Sequence, residues 1–238
     1  MQDKSPSSIG KLGQLLQQSK NREGLSTKWR EKNEELVGYE KAIGKRVNGK
    51  ATDILGSGSR GIAFKLDNGK VLKLTDDATE ASASKIIMNA GNTCPNIVHI
   101  YDVFQLGDLY FYGIVLEELE KTPSMFKDLI SYVSVTLHNC KILKTKNELT
   151  KIKQFVANLS SRAKKEEIAK QLVNGTRALY KLNINFTDLH IYNTGMKNGQ
   201  IKIMDIGWTK SPPTKIPIMA AEQLSFKAWY HNNSIPTI

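Results

Sequence analysis

The chain has 238 residues, 40% of them hydrophobic and 24% charged, enough for one large soluble domain or two small lobes around a shared cleft. Its net charge of +11 comes from 34 Lys and Arg against 23 Asp and Glu, a balance that suits an acidic protein partner or a polyanionic nucleotide; the lysines are spread out, with no arginine-rich arm or aromatic RNA-binding signature, so nucleic acid is not favoured. No run approaches the roughly 18 apolar residues of a membrane span, the opening "MQDKSPSSIG" lacks the apolar core of a signal peptide, and Cys94 and Cys140 fit no metal-ligand spacing, so a reducing, cytoplasmic setting is expected, that of the host if the chain is viral.

Residues 1–45 are polar and basic. "IGKLGQLLQQSK" and "STKWREKNEELVGYEKAI" have helical spacing with a thin apolar stripe, and Ser26 is placed to cap the second. This region reads as a basic helical extension that packs on the domain or binds a partner. From about residue 50 the pattern changes to alternation. "ATDILGSGSRGIAFKLDNGKVLKLT" holds two apolar–polar runs separated by Asp67-Asn68-Gly69, a hairpin signal. "DATEASASKIIMNAG" predicts a helix started near Asp77 or Thr79 and stopped by Gly91. "NIVHIYDVFQLGDLYFYGIVLEEL" predicts two more strands around Gly107-Asp108. The sum is a small, mostly antiparallel sheet with one helix.

Residues 120–182 read as helical. "MFKDLISYVSVTLHNCKIL" and "EEIAKQLVNGTRALYKL" carry the clearest patterns, the second with Ile168, Leu172, Leu179 and Leu182 near helical spacing. The stretch holding Lys144, Lys146, Lys151 and Lys153 reads as a solvated helix or connection. Then comes "NFTDLHIYNTGMKNGQIKIMDIGW", which sets Asp188, Asn193 and Asp205 close together beside a short apolar strand, "IKIM".

Several of these segments carry chemistry. "GSGSRG" at 56–61 fits G-x-G-x-x-G. A dinucleotide-binding turn needs such glycines to lead from a strand into a helix, whereas here they lead into "IAFKL", another strand. A glycine-rich β-turn-β can fold over phosphates, its N–H groups close to the anions because no Cβ intervenes; standing alone it is equally an ordinary hairpin. Lys73, between Leu72 and Leu74, is costly inside an apolar strand unless it has a partner, and Glu80 in the next helix is the candidate carboxylate. Asp188 can accept a proton or orient a hydroxyl. Asn193 offers a neutral oxygen and Asp205 a carboxylate, which together with phosphate oxygens would satisfy Mg²⁺. Each of these alone is an ordinary strand lysine, helix-start acid or loop residue.

Their order is what discriminates. Glycine loop, strand Lys, helix Glu, strand and hinge, helices, Asp…Asn, strand, Asp-x-Gly: over about residues 50–210 the chain resembles the protein-kinase-like superfamily. The resemblance implies an α+β, two-lobed fold, with a small antiparallel-sheet N-lobe and hinge over 46–119 and a reduced helical C-lobe over 120–238, after the 1–45 extension. It implies ATP and Mg²⁺ as cofactors. Gly56, Ser57, Gly58 and Gly61 would form the phosphate loop, and Lys73, paired with Glu80, would hold the α- and β-phosphates. Glu117 and Leu119, in "IVLEEL", would hold adenine through backbone groups. Asp188 would be the catalytic base or hydroxyl-orienting residue, and Asn193 and Asp205 the metal ligands. The expected reaction is γ-phosphate transfer to Ser or Thr hydroxyls of a protein substrate, an acidic one being favoured by the charge. Retention of Lys73, Glu80, Asp188, Asn193 and Asp205 argues against the alternative of a pseudokinase binding module.

The chain also departs from the family pattern. Phe186-Thr187 stands before Asp188 where His-Arg is usual, and Ile206 replaces Phe. His190 in "DLHIYN" is closer to the D-L-H-x-x-N loop of aminoglycoside-type and other small-molecule phosphotransferases, an enzyme acting on a small-molecule hydroxyl being the runner-up reading. Only 33 residues follow Asp205, with no A-P-E, as in compact kinases of phages and some bacteria. With Thr187 in place of the Arg that usually receives a loop phosphate, activity is expected not to need phosphorylation of Thr209, Ser211 or Thr214. Substrate capture is expected to rest on the basic surface and residues 1–45.

Overall fold

The computed structural model describes residues 10–20, 27–107, 111–139, 162–184 and 186–207. Ser26, Asp108, Cys140, the lysines at 144, 146, 151 and 153, and the loop residues Thr209, Ser211 and Thr214 lie outside them. The chain divides into two compact units, Met1–Asn92 with His99–Glu118, and Thr93–Val98 with Leu119–Ile238.

Three helices open the first unit: α1 (Lys11–Ser19), α2 (Thr27–Gly38) and α3 (Glu40–Val47). Each puts its apolar residues on one face at spacings of three, four or seven: Leu12, Leu15 and Leu16 in α1; Trp29 and Leu36 in α2; Ile43 and Val47 in α3, all buried. Asn48, at φ 46°, ends α3 in the left-handed conformation that Asn tolerates. These helices are part of the first unit's core. Their apolar faces join Ile54, Ile62, Phe64, Leu66, Leu72, Leu74 and Phe111 in one buried cluster, and the Trp29 ring meets Phe111 edge-on at 4.8 Å. Arg46 adds a two-pronged ion pair to Asp102, at 2.9 and 2.7 Å.

Behind them stands a five-stranded antiparallel sheet in the order β1-β2-β3-β5-β4. Its strands are β1 (Ala51–Gly58), β2 (Gly61–Leu66), β3 (Lys70–Thr75), β4 (Ile100–Gln105) and β5 (Tyr112–Glu117). The fold class is α+β, as the sequence pattern implies. The first alternating run breaks into two strands at Ser59-Arg60, because Gly58 and Gly61 pair directly and close a two-residue hairpin. Gly69, at φ 72°, makes the next turn. Helix α4 (Ala78–Asn89) packs on β3, β4 and β5. Asp77 caps it, accepting from Thr79 N at 2.9 Å, and Gly91 at φ 79° follows its end.

The second unit carries α5 (Lys127–Asn139), α6 (Arg162–Lys181) and a small sheet of β6 (Glu120–Lys121), β7 (Thr194–Lys197) and β8 (Gln200–Ile203). The stretch read as helical from residue 120 therefore begins with a strand, β6. Nothing in its two exposed residues marks them as a strand; pairing with Met196 and Gly195 does. Between β7 and β8, Asn198 and Gly199 both have positive φ (50° and 77°), the conformation of a type I′ hairpin turn. Residues 96–98 clasp β8 from its other side: Ile203 N donates to Asn96 O and Val98 N to Ile203 O, each at 2.9 Å. Helix α6 lies against the same strand, and Gln171 Oε1 accepts from Ile201 N at 2.8 Å.

Gly175 is what lets α6 come so near. A Cβ there would lie 2.8 Å from Asn96 O and 2.9 Å from Ile203 Cδ1, whereas one at Gly44 in α3 would meet nothing within 4 Å. Gly175→Ala is therefore expected to cost about 1–3 kcal/mol by overpacking. Gly44→Ala is expected to raise stability by about 0.5–1 kcal/mol through helix propensity. Chemical denaturation of the two variants beside the parent chain measures both.

Candidate active site

Lys73 stands in β3, the middle strand of the five, directly opposite Ala63 on one side and Ile114 on the other. Those cross-strand neighbours offer it no charge. The following helix does: Glu80, in the first turn of α4, brings Oε1 to 2.5 Å from Lys73 Nζ. The two side chains are only 16% and 6% exposed. The seven-residue separation is short, but the Asp77 cap starts the helix at once, so Glu80 falls one turn in and faces back over the strand. Sequence proximity and spatial proximity agree here because a strand end, a tight connection and a helix start follow without slack.

The glycine hairpin lies over the same strand. Gly61 pairs with Thr75, and a Cβ at Gly61 would sit 2.8 Å from Leu74 O and 3.4 Å from Lys73 Cε. Packing inside the chain thus demands glycine at 61. It does not at Gly56 or Gly58, where a Cβ would meet nothing within 4 Å and where φ is not positive. Ser57, between them, pairs with Ile62.

At the end of β5, Glu117 is buried and engaged. Its N–H donates to His99 O at 3.0 Å, and its Oε1 accepts from His99 N at 2.7 Å. An adenine contact at this residue would have to fall to its carbonyl. Leu119 packs on β7, its Cβ 2.6 Å from where a Cβ on Gly195 would stand.

In the second unit, the Asp188 loop is built on buried anchors. Phe186, Leu189 and Ile184 are 0–5% exposed, while the Asp188 side chain is 73% exposed. A one-turn 3-10 helix, Ile191–Asn193, then leads into β7. Asn193 is buried, and its amide nitrogen donates to Asp188 O at 2.8 Å and to Asp188 Oδ2 at 3.1 Å. Both amide donors are therefore on the Asp188 side, which leaves the amide oxygen as the end suited to a cation. His190 Nδ1 accepts from Tyr192 N at 3.2 Å, so the ring proton sits on Nε2, 3.5 Å from Asp188 Oδ2.

Asp205 is tied to Asn193 by the backbone. Thr194 and Ile203 are register partners of β7 and β8, and one step on Met204 N donates to Asn193 O at 2.9 Å. Asp205 comes next, exposed and at φ 55°. The other described non-glycine residues at positive φ are all Asn. A carboxylate held in this uncommon conformation at the mouth of a strand pair is the kind of constraint that accumulates at functional sites. Among the described residues no group of three or more His, Cys, Asp and Glu could hold a metal ion by itself. The donor set here, one carboxylate and one amide oxygen, fits Mg²⁺, which takes one or two carboxylates and fills its shell with phosphate oxygens and water.

Two contacts escape a reading of the sequence. One is the bond from Tyr192 N to the His190 ring within their own loop. The other is that of Arg60 at the hairpin tip, whose partners Asp76 and Asp77 are separated from it in sequence but brought beside it by the β2–β3 register. The adjacent acids at 76 and 77 were the available signal.

No family model matches the chain, and no curated protein does. Among solved structures, a kinase of Cydia pomonella granulovirus, PK-1, aligns at 13% identity with a TM-score of 0.42, covering 71% of this chain. The chain spans 57% of that kinase's length. An overlap so partial carries no weight for activity. The architecture itself is α+β: a five-stranded antiparallel sheet with helices packed on it, and a second unit of helices and a three-stranded sheet.

Removing one member of a buried ion pair is costly. Lys73→Met, which removes the ammonium 2.5 Å from Glu80 Oε1, is expected to lower stability by on the order of 3 kcal/mol. The double variant Lys73→Met/Glu80→Gln is expected to recover part of that loss. Urea unfolding of the two single variants, the double variant and the parent chain reads the coupling.

Proposed function

We propose that the chain is a phosphotransferase of protein-kinase type, which moves the γ-phosphate of Mg·ATP to a Ser or Thr hydroxyl of a protein. The observation that carries this reading is the Lys73–Glu80 pair: a lysine on the central strand, held at 2.5 Å by a carboxylate from the next helix. Burying a cation there is costly for stability alone, but it presents an ammonium of fixed position to an anion. The glycines support the same reading. A Cβ at Gly56 or Gly58 would meet nothing in the chain, and its absence leaves the hairpin's N–H groups open to close approach by a phosphate.

Each residue then has a role. Lys73, oriented by Glu80, holds the α- and β-phosphates. The hairpin N–H groups of Gly56–Gly58 bind phosphate oxygens. The Asn193 amide oxygen and the Asp205 carboxylate hold Mg²⁺, which when bound neutralises charge on the transferred phosphoryl group. Asp188, whose Oδ2 already accepts from the Asn193 amide, orients the acceptor hydroxyl and takes its proton. The acceptor oxygen forms a bond to γ-phosphorus as the bond to the ADP oxygen breaks. Positioning and charge neutralisation supply most of the rate in such a transfer. The reading places the protein in the cytoplasm, with an acidic protein substrate matched to the +11 charge.

The test is transfer from γ-labelled ATP with Mg²⁺, to added lysate proteins and separately to small hydroxylated acceptors. Label in protein that disappears with Asp205→Ala and Lys73→Ala supports the reading, each loss being on the order of a hundredfold or more. Label in small acceptors alone assigns the small-molecule reaction instead. Folded protein whose melting temperature does not rise with Mg·ATP rejects nucleotide binding altogether. The glycines provide a separate check. The double variant Gly56→Ala/Gly58→Ala is expected to melt within a degree or two of the parent, about the shift of a neutral surface change, yet to lose Mg·ATP stabilisation in a thermal-shift titration.

A further inference from the structure

Arg60 sits at the tip of the glycine hairpin, where an exposed arginine needs no partner. It has several. Its carbonyl accepts from Asp76 N and from Thr75 Oγ1, both at 3.0 Å. Its guanidinium donates from Nε to Asp76 Oδ1 at 3.0 Å and from Nη2 to Asp76 O at 3.3 Å, and Nη1 lies 3.4 Å from Asp77 Oδ2. The Asp76 side chain is only 9% exposed although Arg60 is 59% exposed. This is thus not the usual pair of solvated surface charges, whose worth is small. The hydrogen bond that the guanidinium donates to Asp76 holds its pKa above the ordinary value; partial burial opposes it, and the charges of Asp77, Asp76 and Glu80 reinforce it.

The partners of Arg60 lead directly to the ion pair. Asp77 is the cap of α4, and its Oδ1 accepts from Thr79 N at 2.9 Å, Thr79 Oγ1 at 2.6 Å and Glu80 N at 3.4 Å. Glu80 in turn holds Lys73. On the other side, Gly61, the residue after Arg60, lies against the Lys73 stem. One continuous set of polar contacts therefore joins the hairpin tip, the start of α4 and the Lys73 ammonium.

We propose that Arg60 is a positioning residue for nucleotide binding: it latches the tip of the glycine hairpin to the capped first turn of α4, setting the hairpin N–H groups and the Lys73–Glu80 pair in a fixed relation before nucleotide arrives. The inference rests on the kinase reading above. A hairpin carrying Gly56, Gly58 and Gly61 has little stiffness of its own. Unlatched, it must be ordered by the nucleotide, and that ordering is subtracted from affinity. The loss falls on nucleotide affinity and KM more than on kcat. Were Arg60 instead a direct phosphate ligand, freeing it from Asp76 would strengthen binding. A latch requires the opposite.

The experiment uses the full chain with Arg60→Ala, Arg60→Lys, Asp76→Asn and the double variant Arg60→Ala/Asp76→Asn. Hydrogen exchange of nucleotide-free protein reads the latch, and calorimetric titration with Mg·ATP reads its consequence. Arg60→Ala and Asp76→Asn are each expected to speed exchange across residues 56–62 and 77–81 and to weaken Mg·ATP by about fivefold. The double variant is expected to match either single one, as two halves of one interaction do. Arg60→Lys, which keeps the charge without the fork, is expected to fall between. Unchanged exchange at 56–62 in Arg60→Ala would overturn the latch. Faster exchange with parental Mg·ATP affinity would overturn its role in positioning, and tighter binding by Asp76→Asn would make Arg60 a phosphate ligand. A parent chain that binds no Mg·ATP would remove the kinase reading and the nucleotide role with it, while the exchange data would still decide the latch.

Discussion

A cation in the middle of a sheet is the constraint around which the first unit is arranged. Lys73 occupies the central strand, between Ala63 and Ile114, where it can neither reach bulk water freely nor be left unpaired without a penalty of several kcal/mol. A carboxylate must come to it, and the nearest source is the next element in the chain. That requires α4 to begin immediately after β3, which Asp77 ensures by capping it, and it requires Glu80 to fall in the first turn. The helix side facing the sheet is small, with Ala81, Ala83 and Ser84 buried there, so the helix can lie close. Strand register, cap, helix start and helix composition all answer to one ammonium group.

The second unit solves a related problem with backbone rather than charge. A loop carboxylate as exposed as Asp188 would wander unless its neighbours were fixed. Phe186 and Leu189 are buried on either side of it, and the buried Asn193 amide reaches back to bond it. The two-residue turn at Asn198-Gly199 closes β7 on β8, and the pairing continues past the strand ends to Met204, which delivers Asp205 beside Asn193. Ile203 is the junction: it pairs with β7, is clasped by Asn96 and Val98, and packs under Gly175 of α6. The apolar strand beneath the polar loop is held on three sides.

Glycine answers to two separable structural needs in this chain. At 69 and 199 it supplies a backbone conformation that most side chains avoid. At 61, 113, 175 and 195 it makes room for an atom of the chain itself. At 56 and 58 neither reason applies. The same holds at 38 and 44, inside helices α2 and α3, so an empty Cβ position does not by itself mark a glycine as functional.

Much of this was legible in the amino-acid order, where short-range physics decides. The alternation in β1 to β5, the Asn-Gly and Asp-Asn-Gly turns, the Asp77 cap and the Gly91 stop all act within a few residues, so the local pattern suffices. The pairing of Lys73 with Glu80 could be named for the same reason, being seven residues long with no slack. What the order could not reveal depends on distant partners. The N-terminal helices read as a thin-striped extension, yet Trp29, Leu36 and Ile43 are at most 1% exposed because the sheet supplies the apolar surface that their own sequence lacks. The strand β6 exists only because β7 accepts it. The Arg60 contacts appear only once β2 and β3 are in register. Local propensity cannot encode these features, because the free energy that creates them is gained when surfaces far apart in the chain meet.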